Sequence, residues 1–193
     1  MTSDRTRFFG EPSAFGIRYK PGYRYRDYAH SFAFLHLVIG GQIIGDPEES
    51  CQTDTWLRGL SHLRTRVVDH FDELEHEAFA GRTDRELHEL IWKANQDPDQ
   101  YDPRFSYLPS LSNRVWERCH ISIDETTDSW LVAMLACQGR LKFLSQGVQP
   151  PCPQDLIGTL FQAEVDPGEV VQIIDQCTAV VLNDERGFRV SAD

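Results

Sequence analysis

The chain has 193 residues, 40% of them hydrophobic, and a formal net charge of −11. That is enough apolar material for one domain with a sizeable core, and no apolar run is long enough to cross a bilayer. Five cysteines without a CxxC pair (Cys51, Cys119, Cys137, Cys152 and Cys177) fit neither a zinc site nor a secreted disulfide framework, and no signal-type apolar stretch follows Met1, so the expected compartment is the reducing cytoplasm.

One local pattern is written twice: Phe8-Phe9-Gly10-Glu11-Pro12 and Ile43-Ile44-Gly45-Asp46-Pro47. Two apolar residues suit a strand end, glycine opens backbone angles closed to other residues, and a carboxylate before proline starts a turn. Both copies are read as strand-ending turns, and Glu11 and Asp46 are not binding candidates. Between them, Phe15 to Tyr19 reads as a strand, Pro21-Gly22 as a turn, and Ser31 to Ile39 as a strand. In the last of these, Phe32, Phe34 and His36 share one face and Ala33, Leu35 and Leu37 the other. Gly40-Gly41 then returns the chain in a hairpin through Gln42-Ile43-Ile44. The basic aromatic stretch Arg18 to Arg26 offers stacking and cationic groups for nucleic acid, but the global charge opposes this, and edge-strand protection is the favoured role.

Residues 53–80 switch to helical spacing, with Trp56, Leu60, Leu63, Val67, Phe71 and Leu74 on one stripe and Gly81 as the stop. Thr83-Asp84-Arg85-Glu86 is a capping box opening a short helix that carries Leu87, Leu90 and Ile91 and stops by Asp97-Pro98. Strands follow over Val115–Ile123, Trp130–Cys137, Arg140–Ser145 and Leu156–Val165, with a tight turn at Gln138-Gly139. Trp130 to Cys137 has no polar face and is expected to be covered on both sides. Asp166-Pro167-Gly168-Glu169 starts a last helix whose buried stripe is Val170, Ile173, Ile174, Cys177 and Val181. The fold expected is α+β, a largely antiparallel sheet with a central helical pair and a C-terminal helix packed on it. It is organised as one domain over 1–193: a β part at 8–47, a helical segment at 53–97, and a meander plus helix at 114–184.

No catalytic constellation emerges: GxSxG, P-loop and GxGxxG patterns are absent. His70, Asp72 and His76 are ligand types, but the two histidines are six apart and point to different sides of a helix, whereas one metal needs them about four apart. A small metal-dependent hydrolase on these residues is retained as an alternative, as is an acidic adaptor docking a basic partner. No catalytic, metal or cofactor site is assigned. Charge is the stronger signal. Residues 1–30 hold six Lys/Arg against three acids, whereas residues 69–102 hold eleven acids against Arg82, Arg85 and Lys93. Such a patch repels nucleic acid and anionic membrane and attracts basic proteins.

Phe-Phe-Gly-Glu-Pro-x-x-Phe-Gly-Ile at the N-terminus, the strand Ser31-Phe32-Ala33-Phe34, a glycine turn and Ile-Ile-Gly-Asp before a helix resemble a family of bacterial polymorphic-toxin immunity proteins, immunity protein forty-two. The resemblance lies mainly in residues 8–67, with Glu11 for a commoner aspartate and Gly16 for a commoner alanine. It implies a non-enzymatic cytoplasmic protein that binds and neutralises a cognate toxin domain by occluding its active site. If that toxin works on nucleic acid or a nucleotide, its active-site mouth is basic, and an acidic surface complements it. The partner-binding candidates are Asp69, Asp72, Glu73, Glu77, Asp84, Glu89, Asp97 and Asp99, with Trp92 and Tyr101 as aromatic anchors.

Overall fold

The computed structural model describes residues 5–24, 30–97 and 102–190, with side chains described as far as residue 186. Its first sheet is antiparallel in the order β1 (Arg7–Gly10), β2 (Phe15–Arg24), β3 (Ser31–Ile39) and β4 (Gln42–Ile43), with the short β5 (Cys51–Gln52) pairing the start of β3. Period-two alternation decides the faces. Ile17, Tyr19, Ala33, Leu35, Leu37 and Ile39 are buried on the inner side, while Phe32 and Phe34 sit half-exposed outside.

Both copies of the repeated pattern end strands as expected. Gly10 and Gly45 have φ of +86° and +97°, the left-handed region in which a side chain is strained. The carboxylates serve their own turns: Glu11 Oε1 accepts from the Ser13 amide and hydroxyl, and Asp46 Oδ1 accepts the Glu48 amide at 2.9 Å. His36 is fully buried beside the second copy, with its Nε2 2.8 Å from the Asp46 carbonyl, and burial lowers its pKa to about 4.

One reading of the β region is corrected. Pro21-Gly22 is not a turn: it lies within β2, where the register shifts between Pro21 and Tyr23. A Cβ on Gly22 would stand 2.2 Å from the Phe32 carbonyl, so glycine here serves a close backbone approach at a bulge. In the basic aromatic stretch, Arg18 and Tyr19 are flanked by β1 and β3. Lys20, Pro21, Tyr23 and Arg24 pair among the described residues with β3 alone and so stand at the edge, as edge protection requires. Tyr25 and Arg26 lie outside the described residues.

Helix α1 spans Thr53–Asp69 and buries Trp56, Leu60, Leu63 and Val67. The predicted helix to residue 80 is thus cut short at His70, which leaves helical angles with φ −133° and ψ 25°. The chain instead makes two 3₁₀ turns, Phe71–Leu74 and Glu77–Phe79, which still bury Leu74 and Phe79.

The second half forms a separate antiparallel sheet of β6 (Trp130–Cys137), β7 (Arg140–Gly147) and β8 (Leu160–Val165). The hairpin turn falls at Gln138-Gly139, both at positive φ, as the primed turns of two-residue hairpins require. The strand expected to begin at Leu156 begins at Leu160. As expected for a strand without a polar face, Trp130 to Ala136 are all buried.

The strand expected over Val115–Ile123 is instead helix α3 (Asn113–Cys119), followed by a single bridge from His120 to Ala133. Val115 and Cys119 are four apart and buried together, and Trp116 stacks on His120 at 4.0 Å. This i,i+4 spacing outweighed the β-type composition.

The second sheet is the middle layer. One face (Trp130, Val132, Met134, Leu141, Phe143) shares a core with the first sheet, α1 and α4 (Pro167–Val190). The other (Ala133, Leu135, Leu144) meets α3 and α2 (Asp84–Ala94). The two central helices therefore serve different cores. Val170, Ile173, Ile174, Cys177 and Val181 of α4 are buried as expected, and Asp166 Oδ1 accepts the Gly168 amide at 2.8 Å as its N-cap.

Candidate functional site

The acidic residues fall into two groups with different surroundings. Asp69, Asp72, Glu75 and Glu77 lie on the end of α1 and the 3₁₀ turns, and all four are exposed. Among the described residues no hydrogen bond or ion pair joins the side chains of Asp72, Glu75 or Glu77. Glu73, in the same segment, is engaged: its carboxylate meets Arg118 Nε at 3.1 Å and His70 Nδ1 at 2.9 Å.

The acids of α2 and its following turn are mostly committed internally. Asp84 pairs with Lys142 of β7. Glu86 completes the capping box with Thr83, whose amide holds its pKa below the ordinary carboxylate value. Glu89 accepts from the Tyr107 hydroxyl, pushing that phenol up to about 12. Asp102 accepts from Arg104 at 2.6 Å, which lowers its pKa. Asp97 is exposed just beyond α2, and Asp99 and Tyr101 lie outside the described residues.

Trp92 is half-buried, 6.2 Å from the His88 ring and 6.3 Å from Phe105. It lines a recess of about 280 Å³ with Arg85, Arg104 and Ile157.

The histidines of the hydrolase alternative are otherwise occupied. His70 pairs with Glu73, and His76 Nδ1 accepts the Ala78 amide at 3.1 Å, capping a 3₁₀ turn. Among the described residues no three His, Cys, Asp or Glu side chains are grouped to hold a metal.

A groove of about 720 Å³ runs between the first acidic group and the open end of the second sheet. Asp72, Glu75 and Glu77 form one wall, Arg140, Lys142 and Glu164 the other, and Phe79, Leu87 and Ala136 the floor. The far-wall cations are already paired, Arg140 with Glu164 at 2.8 Å and Lys142 with Asp84. Sequence reading missed this arrangement. Glu75 was counted only within the charge run, and Arg140 and Glu164 come from strands whose place beside the acids no local pattern encodes.

The immunity protein 42 family matches residues 1–179, well beyond the stretch carrying the N-terminal motifs, and the chain belongs to that family. It is thus an immunity protein, of a typically non-catalytic class that neutralises a cognate toxin. Among solved structures, CdiI from Burkholderia dolosa is similar with a TM-score of 0.58 and 13% identity, over 90% of this chain and 99% of that one. At that identity the likeness concerns the fold. No curated protein matches the chain. Among the described residues no helix is long and apolar enough to cross a membrane.

Proposed function

We propose that this immunity protein acts in the cytoplasm as a single domain over 1–193 and neutralises its toxin by covering the toxin's active site with the acidic surface centred on Asp69, Asp72, Glu75 and Glu77. The observation that supports this reading is that these four carboxylates are exposed, while Glu73, Asp84 and Glu89 are tied to cations or a hydroxyl within the fold. Unneutralised charge sets the field a partner meets. It steers a basic surface into place and raises the association rate above the roughly 10⁵–10⁶ M⁻¹s⁻¹ of neutral pairs.

The complementary partner is a toxin domain with a basic active-site mouth, as an enzyme acting on nucleic acid or a nucleotide has. Glu89 and Trp92 line a separate recess at the Gly147 end of β7, and with Asp97 they form a second contact in this reading, Trp92 supplying the aromatic anchor.

The test is co-expression with the toxin domain encoded beside this gene, together with stopped-flow association of the purified pair. Wild type is expected to restore growth. Asp72→Lys with Glu75→Lys is expected to slow association at least tenfold and flatten its salt dependence. An unchanged association rate would remove this surface from the interface.

A further inference from the structure

We propose that the groove beside the first acidic group receives an arginine side chain projecting from a loop of the toxin. This rests on the toxin-binding reading above and adds the chemistry of the contact. Three observations support it. The groove offers an apolar strip at Ala80, which is exposed, and Cys137, which is half-exposed, above the closed-over side chains of Phe79, Leu87 and Ala136. The near wall carries Asp72, Glu75 and Glu77, whose side chains have no hydrogen bond or ion pair among the described residues. The cations around the groove each face a carboxylate, Arg140 with Glu164, Lys142 with Asp84, and Arg82 with Glu86 at 3.9 Å.

The groove therefore has an apolar bed and uncompensated negative charge along one lip. A long aliphatic stem with a cationic head fits both parts, the stem lying on the floor and the head reaching the carboxylates. Arginine suits it better than lysine. A planar guanidinium has five donors fixed in a fork, meets a carboxylate through two parallel hydrogen bonds, and gives up its hydration more readily than an ammonium.

Cys137 provides a readout on the unmodified protein. Cys51, Cys119, Cys152 and Cys177 are buried, so Cys137 is the accessible thiol, and burial holds its pKa above the ordinary thiol value. Iodoacetamide alkylation at pH 8.5 is therefore a probe of the groove. Saturation with the purified toxin domain is expected to slow Cys137 alkylation at least tenfold.

Ala80→Trp, at an exposed rim position with φ −60° and ψ 129°, is expected to fill the groove and lower toxin affinity at least tenfold. At least one arginine-to-alanine change in the toxin's loops is expected to do the same. A complex that forms while Cys137 reacts at the free rate overturns the groove assignment and leaves toxin binding standing. So does toxin affinity within twofold of wild type for Ala80→Trp. Tenfold effects from the groove but from no toxin arginine overturn the choice of arginine. Failure of the wild-type proteins to form any complex overturns the direct-binding reading itself.

Discussion

Residues 69–77 and residues 84–104 are both rich in acids, yet the two regions behave as opposite kinds of surface. In the second, Asp84, Glu86, Glu89 and Asp102 each hold a cation, a hydroxyl or a helix-start amide. Of these, Asp84 ties the start of α2 to the second sheet through Lys142. In the first, all five acids are exposed, and Glu73 is paired with Arg118 at the surface while Asp72, Glu75 and Glu77 are not paired among the described residues. Formal charge in a sequence therefore overstates what a partner can feel. Paired acids contribute to the fold, and unpaired ones carry the field.

The contrast breaks most visibly with pH. His88 lies buried under the second region, and burial lowers its pKa to about 4 from an ordinary 6.5. The folded state keeps it neutral while the unfolded chain protonates it near 6.5. Its contribution is therefore complete above pH 6.5 and lost as pH falls toward 4, by about 3 kcal/mol at most. Urea melts at pH 7.5, 5.5 and 4.5 should show this decline together with His36 and His120, which share the shift. Replacement of His88 by glutamine should reduce the decline and leave the part due to His36 and His120.

A smaller effect sharpens the comparison directly. Asp84→Ala leaves Lys142, only 18% exposed, without its carboxylate, and should cost about 1–3 kcal/mol in urea denaturation. Because it frees the Lys142 charge on the groove wall, it should also slow toxin association, by less than Asp72→Ala does. Asp72→Ala should hold stability within about 0.5 kcal/mol while slowing association severalfold. Equal behaviour of the two variants in both measurements would erase the distinction between the regions. The smallest effect is at the start of α2: Thr83→Ala removes the capping-box hydroxyl and should cost about 1 kcal/mol, read as a shift in the thermal midpoint.

Much of the fold was legible because its signals are local. The two strand-ending turns, the Gly40-Gly41 and Gln138-Gly139 hairpins, the Thr83 capping box and the stripe of α4 each lie within a few residues of chain, where backbone angles and side-chain period decide the outcome. The errors came where two local signals competed. Pro21-Gly22 has turn composition, yet β3 passes so close to Gly22 that the pair becomes a bulge. Val115 to Ile123 has β-type residues, yet Val115 and Cys119 share a helical face. Residues 71–80 continue an apolar helical period, yet the chain leaves the helix at His70 and buries Leu74 and Phe79 from 3₁₀ turns.

By itself, the sequence determined the α+β class, the doubly covered strand at Trp130–Cys137, the excess of negative charge and, through its repeated turn motif, the family resemblance. Only the tertiary structure decided which of those charges remain available. Asp84 meets Lys142 across 58 residues and Glu89 meets Tyr107 across 18, and the groove joins the 3₁₀ turns after α1 to the ends of β6, β7 and β8. Electrostatic pairing depends on distance through space, and that distance exists only once the second sheet is sandwiched between its two cores.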